Sequence, residues 1–218
     1  MLSKMIMGAG GIGGKIEIAY VGTTSINVAT TSGTIIGFPS GRSVGDFAIL
    51  AVIPDSTTVS VTIVDGGWTF IGDTGTSGVP RMWLYYKQLT SSDLATNYVT
   101  FTNSSAINTA GFVSVFSVGS GSVFAPTAYV SNNSASSFSL TLSNSTAVAP
   151  CIGFAGLSGR PTGQRPIMTW STADAVINNG VSSVGYVLYQ DGGTPASHTI
   201  STTDNGRQSM VAFYINVS

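Results

Sequence analysis

Acid–base or nucleophilic chemistry in this chain would have to draw on one histidine (His198), one cysteine (Cys151), one glutamate (Glu17) and eight aspartates. A Ser-His-Asp relay needs a histidine beside an activated serine. His198 instead opens the alternating run "HTIST", and the Gly-x-Ser-x-Gly match "GRSVG" at residues 41–45 leads into the apolar run "DFAILAVI" rather than from a strand into a helix, as a nucleophile elbow does. We therefore expect His198 to face solvent or an interface. Cys151 lies in the apolar run "APCIGFAGL", where a thiol acts as a small buried hydrophobe rather than a nucleophile. A lone cysteine also excludes an intramolecular disulfide and a cysteine-rich metal site. Glycoside cleavage by paired carboxylates would need Glu17 and the aspartates. Glu17 belongs to the amphipathic stretch "KIEIAYV", and Asp65, Asp73, Asp191 and Asp204 each adjoin a glycine or asparagine, where a carboxylate caps a turn. No Asp-x-Asp-x-Asp spacing suggests calcium. The glycine-rich "GAGGIGG" at residues 8–14 has no strand before it and no Gly-Lys-Ser/Thr after it, so it reads as a tether rather than a phosphate loop. We expect no catalytic residue, no metal site and no cofactor.

Binding is the chemistry that the remaining residue types suit. In "RMWLYYKQL" strand alternation puts Trp83 and Tyr85 on one face and Tyr86 on the other. If open, Trp83 and Tyr85 could stack on sugar rings; if buried, they are core aromatics. Arg160 and Arg165, framed by prolines in "GRPTGQRP", are candidate interface anchors because arginine is enriched at binding hot spots.

The elements that must carry these residues follow from period-two patterning. "KIEIAYV", "DFAILAVI", "TVSVTIV", "RMWLYYKQL", "YVTFT", "GFVSVFSV", "SFSLTLS", "CIGFAGL", "VGYVLYQ", "HTIST" and "SMVAFYINV" are rich in β-branched and aromatic residues, and turn-forming residues separate them. In "GFVSVFSV", Phe112, Ser114, Phe116 and Val118 face one way and Val113, Val115 and Ser117 the other, so both sides are apolar. The one helical signal is "TSSDLATN" (90–97), with Ser91 or Ser92 as the expected N-cap. The fold class read from this pattern is all-β, a jelly-roll-like antiparallel β-sandwich. The longest apolar run, "FAILAVI", is far short of the roughly 20 residues that span a bilayer, so no membrane insertion is expected. Charged residues make up 8% of the chain against an ordinary figure of about 25%. The net charge of -1 leaves no basic footprint for nucleic acid. A neutral Ser/Thr/Asn/Gly surface offers little repulsion between copies.

The chain also echoes itself with a period of about 100 residues. Aligned by eye, Ile49 falls on Ile152, Trp68 on Trp170, Tyr86 on Tyr189, Phe101 on Ile200, Val113 on Val211 and Phe116 on Tyr214. Gly/Ser-rich segments near 119–122 and 131–137 join the halves. Five or six strands per half favour one sandwich built from two related halves, about 45–118 and 148–217. Residues 1–44 then form an N-terminal arm and leading strands for attachment and assembly, and 45–218 the single β-sandwich.

"VGDFAILAVI", "GGWTFIG", "RMWLYYKQLTSSD" and "VTFTNSSAINTAGFVSVFSV" together resemble a layout recurrent in tailed-bacteriophage and prophage virion proteins. The match is carried by Gly45, Asp46, Gly67, Trp68, Thr69, Tyr86 and Lys87. The second half departs from it, since Thr169 and not glycine precedes Trp170. The resemblance implies a sandwich displayed on a virion, assembled in the host cytoplasm, as capsid decoration or a tail or fibre component. It implies other virion proteins as partners and self-association, with a trimer favoured. The alternative is a glycan- or receptor-binding module on the same particle, meeting a host-surface glycan.

Attachment is expected to run through the N-terminus. Met5, Ile6, Met7 and Ile12 stand among five glycines in residues 1–14. Alone they bury too little to offset about 1–2 kcal/mol per residue of ordering entropy, whereas docking on a neighbour buries each for about 1.5–3 kcal/mol. Deleting residues 1–14 should leave the melting temperature unchanged and lower occupancy on the particle. Full incorporation of the truncated chain would show that the arm is dispensable.

Overall fold

The computed structural model describes residues 16–30, 34–75, 80–119, 122, 124–134, 137–159, 167–190, 193–202 and 208–218. Among these are sixteen strands and one short helix. The first half holds β1 (Ala19–Thr30), β2 (Thr34–Gly37), β3 (Phe47–Pro54), β4 (Val61–Ile63), β5 (Thr69–Asp73), β6 (Trp83–Gln88), α1 (Ser91–Thr96), β7 (Tyr98–Asn103) and β8 (Ile107–Ser117). The second holds β9 (Phe124–Ser134), β10 (Ser139–Leu142), β11 (Cys151–Ser158), β12 (Met168–Thr169), β13 (Ala175–Asn178), β14 (Ser182–Tyr189), β15 (His198–Thr202) and β16 (Gln208–Val217). All strand pairs are antiparallel.

The pairing follows one plan twice. A five-stranded sheet runs β1-β8-β3-β6-β5 and its counterpart β9-β16-β11-β14-β13; a three-stranded sheet runs β2-β7-β4 and its counterpart β10-β15-β12. Each strand therefore takes the place held by the strand eight before it. Alternation divides every long strand between two cores. Phe47, Ile49, Ala51 and Ile53 of β3 enter a central core with Ile152 and Phe154 of β11, while Ala48, Leu50 and Val52 enter a first outer core under β2, β4 and β7. Cys151, Ala155 and Leu157 of β11 enter a second outer core under β10, β12 and β15. The result is four layers: three strands, five, five and three.

Two sequence expectations change here. The single sandwich over 45–218 becomes two sandwiches sharing a central core, because each half has eight strands rather than five or six. The extra strands are polar and apolar by turns without a hydrophobic run, which is why pattern reading passes over them: β9 includes Ser131 to Ser134, read as linker but paired with Val211 to Gln208. β1 and β2 likewise pair with β8 and β7, so the leading strands expected within residues 1–44 belong to the first sandwich. Residues 1–15 lie outside the described residues.

Register is the second correction. Ile49 pairs with Ser114 and Tyr86, and Ile152 with Ile215 and Leu188. With Ile49 set on Ile152, Tyr86 therefore falls on Leu188 and Phe112 on Phe213. The sequence alignments of Tyr86 with Tyr189, Phe116 with Tyr214 and Val113 with Val211 are each off by an odd number. They put residues of the central core against residues of an outer one, since a one-residue slip reverses every side chain. Trp68 and Trp170 both pack into outer cores, as do Phe101 and Ile200.

Aromatic contacts join the halves across the central layer: Tyr20 stacks on Tyr186 with centroids 4.5 Å apart and Phe47 on Phe124 at 4.1 Å. The Gln190 amide clasps the Ile18 backbone, accepting from its N–H at 2.9 Å and donating to its carbonyl at 2.6 Å. The buried Ser158 and Ser209 hydroxyls both donate to the Pro80 carbonyl. Because Phe213 lies wholly within this shared core, Phe213→Ala should cost about 3–5 kcal/mol and both halves should unfold in one transition. Denaturant melts read by tryptophan fluorescence and far-UV circular dichroism test this; two separated transitions would show that the halves fold independently.

Candidate functional site

The most exposed aromatic cluster lies on the β5–β6 hairpin at the edge of the first five-stranded sheet. Phe70 pairs with Tyr85 and Asp73 with Trp83, with a bulge at Ile71 between them. The extra residue restores the face, so all four side chains emerge on the side of the first outer core. Tyr85 is only 9% exposed, its hydroxyl donates to the Val61 carbonyl at 3.2 Å, and burial pushes its pKa up to about 12. Trp83 is half-buried, with the Arg81 guanidinium 4.0 Å above its ring. Arg81 grips Asp73 through two parallel bonds, Nε to Oδ1 and Nη2 to Oδ2, each 2.8 Å. That bond holds the Asp73 carboxyl below the usual carboxylate range. The Tyr129 hydroxyl, from β9, donates to the Asp73 backbone carbonyl at 2.6 Å.

Of the two aromatics read from the sequence as sugar-stacking candidates, Tyr85 is thus buried and Trp83 is covered by Arg81. The ring that stands open is Phe70, 48% exposed, 5.8 Å from Trp83 and 5.3 Å from Tyr85 between centroids. Sequence reading overlooked it. Its one signal was an aromatic residue at an alternating position of the short run "TFIGD", beside a strand-bending glycine.

The residues that carry the family resemblance form a brace rather than a site. Lys87 Nζ donates to Asp93 Oδ1 at 2.6 Å and to the Gly66 carbonyl at 2.7 Å. Gly67, at φ +85°, lies under the lysine stem; a Cβ there would come within 3.1 Å of Lys87 Cε. Burial alone would raise the Asp93 carboxyl, but hydrogen bonds from Lys87 and Thr90 outweigh it and hold the group below its ordinary value. Asp93 also closes a capping box with Thr90 at the start of α1. The N-cap is therefore Thr90 and not Ser91 or Ser92: only a cap at Thr90 places a carboxylate three residues on. Asp46, buried at the entry to β3, accepts from Ser43 N–H at 2.7 Å; the Gly45 N–H donates to the Leu89 carbonyl, and the Leu89 N–H to the Asp46 carbonyl.

His198 corrects the expectation of a solvent or interface residue. It is 5% exposed, because it heads the inward-facing series His198, Ile200, Thr202 on β15. Its Nδ1 lies 2.7 Å from Thr172 Oγ1 and its Nε2 2.8 Å from the Tyr189 hydroxyl. Trp170 Nε1 donates to Thr172 at 3.1 Å, and Ala196 N–H to the Tyr189 oxygen at 3.1 Å. A neutral imidazole satisfies this ring of partners, accepting from one hydroxyl and donating to the other. Burial lowers its pKa. Cys151 is buried, and that burial lifts its thiol to about 12. Glu17 is exposed between the inward-facing Ile16 and Ile18, and the Asp65 carboxylate accepts from the Thr100 N–H. No group of three potential metal ligands occurs among the described residues. Met5, Ile6, Met7, Ile12, Arg160, Arg165, Asp191 and Asp204 lie outside the described residues.

The lowered pKa of His198 makes stability depend on acidity. The unfolded chain binds a proton near pH 6.5 that the folded state resists, so this contribution is complete above about pH 6.5 and is lost as the pH falls towards the folded value. From about pH 7.5 to about pH 5, above the range where Asp73 and Asp93 titrate, the melting temperature should fall by a few degrees. His198→Gln should flatten that slope. Parallel profiles for the two proteins would show that His198 does not report acidity. No family model matches the chain and no curated protein matches it.

Proposed function

We propose that this protein is a non-enzymatic structural component of a tailed-phage virion, a capsid decoration or a tail or fibre protein that associates with copies of itself. The observation that carries this reading is where the resembling residues lie. Gly67, Trp68 and Lys87 take part in the stack and ion pair that fasten the first outer sheet and α1 to the five-stranded sheet, and Gly45 and Asp46 form the turn bonded to Leu89 where β3 and β6 meet. A shared layout of this kind supports a shared frame, and a frame is what a displayed sandwich contributes.

The surface supports self-association. The outward row of the second three-stranded sheet is Thr169, Ser201 and Ser139, side by side across three strands, with Thr199 and Thr141 in the next row. Such uncharged hydroxyl surface does little to keep identical copies apart. The two ion pairs of the described residues, Arg81–Asp73 at the surface and the nearly buried Lys87–Asp93, each cancel their own charge rather than spread as a like-charged coat.

Particles made from a genome encoding this chain provide the test. The protein should co-sediment with intact particles through a density gradient and be labelled on them by antibody, and the purified chain should sediment as an oligomer, with a trimer favoured. Recovery only in the unassembled fraction of the lysate would overturn the assignment to a virion. A monomer at every concentration would overturn self-association.

A further inference from the structure

We propose that the β5–β6 hairpin carries a binding subsite for a neutral pyranose, built on Phe70 and the Asp73–Arg81 pair. Phe70 is held tilted against both neighbours, 46° to Trp83 and 54° to Tyr85, while almost half of its surface meets solvent. A ring fixed by two aromatic supports loses little freedom on binding and offers the flat apolar face on which the C–H face of a sugar stacks.

The polar partners lie where the hydroxyls of such a sugar would reach. Asp73 stands two ladder positions from Phe70, about 7 Å along the strand, and on the same face. Arg81 gives Nε and Nη2 to the carboxylate, leaving Nη1 with hydrogens to donate and Oδ2 with acceptor capacity. One donor and one acceptor held rigidly side by side match two adjacent hydroxyls, one accepting from Arg81 and one donating to Asp73. Because the pair cancels its own charge, the site selects a neutral sugar over a sialylated or sulfated one. Neither group is sealed off, with the side chains 20% and 18% exposed.

The second half does not repeat the arrangement. Under the strand pairing that sets Tyr86 on Leu188, Trp83 falls on Gly185 and Tyr85 on Val187. Gly185 is overlaid by Trp170 and Met168, which approach within 3.2 Å and 2.9 Å of where a Cβ would stand. The copy that could have formed a second platform is filled from within. One sugar subsite per chain follows, and an oligomer would multiply it.

Saturation-transfer NMR on the full chain, with the methyl glycosides of glucose, galactose, mannose and N-acetylglucosamine as probes, tests the site. At least one should bind with Kd of about 1–10 mM, receiving transfer on its ring C–H protons when the aromatic envelope is irradiated. Phe70→Ala should lower affinity about tenfold or more, and so should Phe70→Leu, which keeps bulk and removes the π face. Ile35→Ala, at an exposed apolar position on β2, should leave it unchanged. Melting curves for each variant separate loss of binding from loss of fold. The proposal is overturned if none of the four glycosides binds, if only an anionic sugar such as sialyllactose binds, or if binding survives Phe70→Leu in a folded protein.

Discussion

Double burial of the two five-stranded sheets is the constraint on which the rest of the structure depends. Every residue of β3 and every residue of β11 is buried, so neither strand has a face to give to water. A strand of this kind must be apolar on both sides and must have a partner sheet on each. The central core supplies one partner by setting the two sheets against each other. The three-stranded sheets supply the others. Removing any layer would leave an apolar sheet face uncovered, and a sandwich made by either half alone would still present its central face to solvent.

The outer sheets are small and need fastening beyond hydrophobic contact. In the first sandwich the fastening is ionic: Lys87 reaches from β6 to Asp93 of α1 and to the Gly66 carbonyl. Both charges are nearly buried, so each depends on the other, and removing one partner of such a pair typically costs about 3–5 kcal/mol. In the second sandwich it is neutral. Tyr189, the last residue of β14, takes the position that Lys87 holds when Tyr86 is set on Leu188; it bonds His198, and His198 bonds Thr172 beside Trp170. One strand plan is therefore locked by two different chemistries. Among the described residues, Lys87, Asp93 and His198 thus serve as joints between layers.

That use of ionisable groups shapes the functional reading. His198 and Cys151, the residues that would first attract a chemical interpretation, are enclosed by packing and by hydroxyl partners. Among the described residues, the exposed groups include many hydroxyls, single apolar side chains and Phe70 beside its self-neutralised ion pair. Assembly and weak recognition suit such a surface better than acid–base chemistry does, because neither requires a poised proton donor.

Much of this was decided by the sequence, and for local reasons. Period-two runs with apolar residues on both sides determine a doubly buried strand, as "GFVSVFSV" and "FAILAVI" did, and an isolated cysteine in "APCIGFAGL" has nowhere to go but a core. The helix at 91–96 was legible from its serines and aspartate. Tertiary structure decided the rest. The register between the halves turned on strand pairing, since large apolar residues at neighbouring positions, such as Leu188 and Tyr189, face different cores. The polar strands β1 and β9 became strands because a sheet edge needed a partner for its backbone groups, a demand that composition does not record. His198 was drawn inside by the hydroxyls of Thr172 and Tyr189, 26 and 9 residues away in sequence. Phe70 was left outside because its strand is the last in its sheet. Burial is a property of neighbours, and neighbours across sheets are set by the fold.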